Sequence, residues 1–180
     1  DSRVSRGLGD VYKRQMQAKM EITLAEIWAE RAADLPLKNP ADLLKLASII
    51  EKETGASGEK PLVSSVFMNR LQKNMRLQSD PTVSYGLSLN KSLKQTLSRT
   101  DLASPHEWNT YRIKGLPNTP IANPGYQSLN AAAHPKKTDY LYFVADGEGG
   151  HNFAKTLDAH NRNVRQYRNT IRKKQKNPTE

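Results

Sequence analysis

The stretch NPADLLKLASIIEKETG, residues 39–55, carries the strongest secondary-structure signal in the sequence. Asn39 and Pro40 form a typical N-cap and first turn, because asparagine accepts a bond from an early helical N–H and proline has no N–H to satisfy. Gly55 is a natural C-terminal stop. The pattern therefore predicts an amphipathic helix that begins at Pro40 and runs to Gly55.

Two glutamates, Glu51 and Glu53, lie on the last turn of this predicted helix. At about 100° per residue, Glu51 lies about 90° to one side of the centre of the apolar face and Glu53 about 70° to the other. Both therefore lie at the border between core and solvent, where desolvation raises a carboxyl pKa towards the value that a general acid needs. From the pattern alone, ordinary surface glutamates are the simpler interpretation.

The remaining pattern predicts an α+β fold in one domain. Helices come first, a long irregular region follows, and a small β-hairpin precedes a C-terminal helix. The predicted helices are residues 16–34, 59–71, 126–133 and 157–171, and the predicted hairpin pairs a strand at 140–146 with a short partner at 151–153.

The segment from Arg76 to Ala122 is rich in proline, glycine, amides and polar aromatics. Long irregular segments in compact domains usually have a function, so we expect this one to form a cleft. Aromatic rings pack on the apolar faces of sugars, while amides and charged groups bind sugar hydroxyls. The composition favours a carbohydrate cleft.

Composition excludes several function classes. The 180 residues include no cysteine, so there is no disulfide, thiolate zinc site or cysteine nucleophile. Motifs of the HExxH, GxSxG and Walker types are absent, and the four histidines lack zinc-site spacing. We therefore predict no metal and no cofactor.

The two ends of the chain differ from its body. Residues 1–15 show neither helical nor strand periodicity and resemble a translated sequencing adapter, so we expect the domain to be residues 16–180. Residues 162–176 carry seven basic and no acidic side chains, which is most of the net charge of +10. A solvated helix end is the simplest interpretation. Binding to an anionic lipid or glycopolymer is the next, and nucleic acid is not expected because a recognition helix is missing.

Five segments, taken together, resemble the YceG-like family of endolytic murein transglycosylases. The resemblance covers about residues 16–170, in the family's order. The segments are ASIIEKETG (47–55), VSSVFMNRLQKNMRLQSDPTVSYG (63–86), LSRTDLASPHEWNTYRIKGLPNTPIANPG (97–125), SLNAAAHPKKTDYLYFVADGEGGHNFAKTL (128–157) and HNRNVRQY (160–167).

The resemblance implies a lytic transglycosylase that cuts nascent peptidoglycan strands between N-acetylmuramic acid and N-acetylglucosamine. The family's catalytic acid is the second glutamate of its EKET motif, here Glu53, with Glu51 as the runner-up. The expected glycan-binding residues are those of the matching motifs, although core packing is an equal alternative for Tyr85, Tyr142 and Phe153. They are Arg76, Gln78, Asp80, Tyr85, Asn109, Tyr111, Tyr142, His151, Phe153 and Asn161.

The resemblance also implies a location and partners. Family members carry an N-terminal membrane helix and a LysM-like domain ahead of this region, so we expect the bacterial cell envelope, on the outer, periplasmic face of the cytoplasmic membrane. Peptidoglycan strands are the expected partner, with cell-wall synthesis enzymes as further candidates. Membrane attachment is expected only through such an anchor in the parent protein. A peptidoglycan-binding module without activity, or an anionic-polymer binder acting through residues 162–176, stays open as an alternative.

Overall fold

The computed structural model describes residues 2–89 and 96–176, and it has the predicted α+β architecture. Seven α-helices and one 3-10 turn are found in these ranges, with a single pair of antiparallel strands. The helices are α1 (Ser2–Ala29), α2 (Pro40–Glu53), α3 (Lys60–Gln72), α4 (Asp80–Leu89), α5 (Arg99–Ala103), α6 (Tyr126–Ala133) and α7 (Leu157–Lys176). The strands are β1 (Tyr142–Ala145) and β2 (His151–Ala154), and the 3-10 turn is Ser57–Glu59.

Helix α2 forms the centre of the core. Leu43, Leu46, Ile49 and Ile50 are fully buried, and the helix packs against α6, α3, α1 and α4. The Asn39 side chain caps it by accepting a 2.9 Å bond from the Asp42 N–H, as predicted. The helix ends at Glu53, two residues before Gly55, because Thr54 is already extended.

The hairpin and α7 form a second layer. Tyr142 pairs with Ala154 and Ala145 with His151. Phe143 joins the hairpin to the core by an edge-on contact with Phe67 of α3, with 5.8 Å between the ring centroids. Helix α7 packs mainly on β1 and β2 and has no buried residue.

Two parts of the fold differ from the sequence-based prediction. Helix α1 extends back to Ser2, through residues without helical periodicity, and ends at Ala29, before Leu35–Pro36. Val11 and Tyr12 are more than half exposed there, so neither marks a buried face that the sequence pattern could reveal.

The second difference concerns Arg76–Ala122, which is not irregular throughout but contains α4 and α5. The sequence did not predict α4, because Gly86 within it lowers the helix propensity of the segment. A Cβ atom at Gly86 would clash with the ring of His106, so only glycine lets that ring pack against α4 at this position. Residues 90–95 of the predicted segment lie outside the described residues.

None of the described helices combines the length and apolarity that crossing a membrane requires.

Candidate active site

A cleft of about 420 Å³ opens where the end of α2 meets α3, the 77–80 loop, β1 and the start of α7. Its walls mix charged, amide and aromatic side chains. The lining residues are Glu53, Arg70, Leu77, Gln78, Asp80, Tyr111, Tyr142, Phe143, Val144, Leu157 and His160.

Glu53, the last residue of α2, lies half-buried in the wall of the cleft. The Ser79 hydroxyl donates a 2.5 Å bond to Glu53 Oε1. Burial, together with the nearby negative charge of Asp80, raises the pKa of Glu53 to about 7 against the opposing effect of the Ser79 bond. Near neutral pH this carboxyl group can therefore both donate and accept a proton.

Glu51 faces the opposite way and is bound to its neighbours as an anion. Its Oε2 accepts bonds from Lys60 Nζ at 3.1 Å, Ser128 Oγ at 2.5 Å and the Gly125 N–H at 3.2 Å. The Ser128 bond, followed by the effects of Lys60 and Gly125, lowers the pKa of Glu51 despite partial burial. This carboxylate ties α2 to α3 and α6 and is not suited to proton donation.

We expect Glu51→Gln to lower stability without removing the chemistry of the cleft. The change leaves the Lys60 ammonium, only 8% exposed, without its counter-charge. Because Glu51 is itself 31% exposed, we expect a cost between those of exposed and fully buried pairs, about 1 to 3 kcal/mol. Urea unfolding should show this loss, while the activity of the folded protein stays within a few-fold of the wild type. A variant as stable as the wild type would contradict the structural role of Glu51.

Arg70 shapes the cleft and was not among the predicted site residues. It is only 7% exposed. Its Nε donates to the Leu141 carbonyl at 2.7 Å, and its Nη1 donates to the Leu77 carbonyl at 2.8 Å and Gln78 Oε1 at 3.2 Å. Arg70 therefore ties the loop on one side of the cleft to the hairpin on the other.

The loop that carries Ser79 is held in an unusual conformation. Gln78 has φ of 55°, in the left-handed region that non-glycine residues rarely adopt. Thr110 holds the loop in place, because its carbonyl accepts the Gln78 N–H at 3.2 Å and its hydroxyl accepts the Ser79 N–H at 2.9 Å. These bonds position the Ser79 hydroxyl against Glu53.

Four of the predicted glycan-binding residues line the cleft: Gln78, Asp80, Tyr111 and Tyr142. The Tyr111 hydroxyl donates a 2.5 Å bond to Asp80 Oδ1. Burial, together with the bond to Asp80, raises the pKa of Tyr111, so the phenol stays protonated. This pair is a rigid, polar part of the wall.

Three of the other predicted residues have structural contacts. Asn109 is fully buried, and its amide N–H groups donate to the backbone carbonyls of Leu102 and Ser104. Tyr85 packs edge-on against Trp108, with 5.7 Å between the centroids. Phe153 packs partly buried against the core. For Tyr85 and Phe153 the packing alternative is therefore the one that the structure supports.

The last three predicted residues lie near the cleft but not in its wall. Arg76 is exposed, and its carbonyl accepts from Arg70 Nη1 at 3.1 Å. Asn161 is exposed and follows His160 on α7. His151 is held through its ring Nδ1 at 2.7 Å and its N–H at 2.8 Å by the carboxylate of Glu59.

The Glu59 carboxylate also accepts a bond of 3.4 Å from the Thr54 hydroxyl. Thr54 directly follows Glu53, so this carboxylate links the end of α2 to the start of β2. The link holds the hairpin beside the cleft.

The sequence did not predict Arg70 and His160 in the wall, nor Ser79, the buried hydrogen-bond partner of Glu53. The sequence held one indication that Arg70 is buried, namely its position within the largely apolar run VSSVFMNRL. Ser79 and His160 enter the site only through tertiary contacts. Within residues 2–89 and 96–176, no three histidine or acidic side chains gather as a metal site would require.

Comparison with known proteins adds to this geometry. A model of the YceG-like family matches residues 9–166. Over 125 residues the chain is 45% identical to a Bacillus subtilis protein named endolytic murein transglycosylase, which covers 69% of this chain and 34% of the relative. A Streptococcus pneumoniae protein of the same name is 35% identical over 134 residues, which covers 72% of this chain and 24% of the relative.

A solved structure is similar as well. The crystal structure of a YceG-like protein from Listeria monocytogenes superposes with a TM-score of 0.62 and 44% identity, covering 68% of this chain and 38% of that one. The chain thus spans between a quarter and two fifths of the length of these relatives.

Proposed function

Because the chain belongs to the YceG-like family, we propose that it is the catalytic region of an endolytic lytic transglycosylase acting on peptidoglycan. Glu53 is its acid and base. The observation that carries the proposal is this carboxyl group, half-buried in the wall of a polar cleft with its pKa raised to about 7. The two relatives named endolytic murein transglycosylase support the reaction class.

The reaction needs one carboxyl group. Protonated Glu53 gives its proton to the glycosidic oxygen as the bond to C1 of N-acetylmuramic acid breaks and positive charge develops at C1. The resulting carboxylate takes the proton of the C6 hydroxyl, whose oxygen forms the new bond to C1. The product is a 1,6-anhydro ring, and Glu53 regains its starting proton. No water is consumed, and the intramolecular attack has an entropic advantage.

Other cleft residues assist this step. Ser79 orients the Glu53 carboxyl group through its 2.5 Å bond. The Asp80 carboxylate, held by Tyr111, supplies negative charge in the same cleft, where positive charge develops on the sugar. Tyr142 lines the same cleft and can contact a sugar through its ring edge and its hydroxyl.

The proposal extends to location and partners. The substrate is nascent glycan in the bacterial cell envelope, outside the cytoplasmic membrane, and enzymes that synthesise the wall are the candidate protein partners. Helix α7, whose first turn lines the cleft, also carries the exposed Arg162, Arg165 and Arg168, which suit the acidic groups of the envelope.

Mass spectrometry of the products tests the reaction. Uncrosslinked glycan strands are incubated with the protein, and the released fragments should carry 1,6-anhydro-muramic ends. Reducing ends would instead identify a hydrolase, with Asp80 as the second carboxylate. Glycan binding without release of fragments would identify a binding module. Binding that falls steeply with salt and is lost when residues 162–176 are removed would identify an anionic-polymer binder.

A further inference from the structure

His160 projects from the first turns of α7 into the wall of the cleft that holds Glu53. Its ring stacks on that of Tyr142, with 5.2 Å between the centroids and 25° between the planes. Arg70 lies near the same tyrosine, with its guanidinium carbon 5.2 Å from the ring centroid. The imidazole is therefore fixed in orientation before any ligand arrives.

The imidazole of His160 is neutral. Burial, assisted by the positive charge of Arg70, lowers the pKa of His160 below its usual value. A neutral imidazole has one N–H donor and one lone-pair acceptor. It is suited to hydroxyl and amide groups, and it brings no positive charge close to the one that develops on the sugar.

The contacts of His160 within the protein do not use this hydrogen-bonding capacity. Its Nδ1 is buried and has no hydrogen-bond partner among the described residues, whereas its Nε2 is not enclosed in this way. A buried polar atom without a partner lowers stability. An aromatic hydrocarbon ring would stack on Tyr142 equally well, so folding alone does not account for an imidazole here.

We infer that His160 is a substrate-contacting residue, whose Nε2 forms a hydrogen bond with a hydroxyl or acetamido group of the sugar that packs in the cleft beside Tyr142. The inference rests on the proposed function for the identity of the sugar. It adds to the reaction a specificity contact from α7, in the same cleft as Glu53.

Two substitutions separate the Nε2 contact from the stack. His160→Phe keeps a planar ring against Tyr142 and removes both nitrogens, so we expect kcat/KM for anhydro-end release to fall about 10- to 100-fold. The thermal midpoint should stay equal or rise, because a buried atom without a partner is lost. His160→Gln places an amide near the position of Nε2 and should recover much of the activity.

A matched control is His106→Leu. His106 is also an imidazole with buried ring nitrogens that lack partners among the described residues, but it packs on Gly86 and Trp108 outside the cleft wall. Activity of this variant should stay within a few-fold of the wild type. The comparison shows whether the loss of any buried imidazole suffices to reduce activity.

Binding gives a second readout that does not need turnover. A labelled glycan oligosaccharide should bind the Glu53→Gln protein about 10-fold more tightly than the protein that also carries His160→Phe. Equal affinity, or full activity of His160→Phe, would overturn the inference. A lower thermal midpoint of His160→Phe, large enough to explain its lost activity by unfolding, would also overturn the inference. If the wild type releases no anhydro ends but the affinity difference is found, the proposed reaction fails and the contact stands.

Discussion

Glu53→Gln is expected to abolish glycan cleavage while the protein stays folded. Glutamine keeps the shape of the side chain and can still accept the Ser79 hydroxyl bond, but it can neither give a proton to the glycosidic oxygen nor take one from the C6 hydroxyl. Loss of a general acid that also serves as the base reduces the rate by about 10³-fold or more. The measurement is the initial rate of anhydro-end release.

The control lies on the same helical turn. Glu51→Gln is the same chemical change two residues away, and it should have the opposite phenotype, lower stability with retained activity. If Glu53→Gln kept most of the activity, the assignment of the acid would be wrong. If Glu51→Gln alone removed it, Glu51 would take that role.

Glu53→Gln should also change how the stability of the protein depends on pH. The pKa of Glu53 rises from 4.5 to about 7 on folding, so its contribution is fully present below pH 4.5 and is lost as pH rises through 7. The difference corresponds to about 3 kcal/mol. Wild-type stability should therefore fall, relative to Glu53→Gln, between about pH 5 and about pH 8. Urea unfolding of the wild type and of Glu53→Gln at these two pH values measures the difference in stability. Wild-type cleavage should also decline above pH 7, because Glu53 then lacks the proton that it must donate.

Arg70→Met is expected to have the second largest effect, a loss of stability of about 3 kcal/mol or more. The buried guanidinium serves the carbonyls of Arg76, Leu77 and Leu141, and methionine leaves them without that donor. The loop at Leu77 and the hairpin at Leu141 are then no longer connected through residue 70. Because the positive charge of Arg70 lowers the pKa of Glu53, its removal should also shift the alkaline limb of the activity profile upward.

Arg76→Met is the matched control. Arg76 is exposed, and its backbone carbonyl, not its side chain, accepts the bond from Arg70. A surface change of this kind alters stability by less than about 0.5 kcal/mol. Thermal and urea unfolding of the two variants compare the two positions directly. Equal effects would mean that the buried bonds of Arg70 contribute little.

Local signals in the sequence predicted the helices α2 and α6 and the hairpin, because caps, periodicity and turns decide these elements. They did not predict α4, because its Gly86 is required by the tertiary contact with the ring of His106 and not by the helix itself. Nor did periodicity separate Glu51 from Glu53. The distinction depends on Lys60 and Ser128 on one side and Ser79 on the other, and only the folded chain brings these partners together.

Helix α7 gives one wall of the cleft a lower local stability than the helix that carries Glu53. Helix α7 has no buried residue and packs mainly on a two-stranded hairpin, whereas α2 lies in the centre of the core. Regions with little buried apolar surface open at a lower free energy than the core, and their amide hydrogens exchange sooner. We therefore expect the backbone amide hydrogens of α7 to exchange before those of α2, even though Arg70 and Glu59 bond the hairpin to the core.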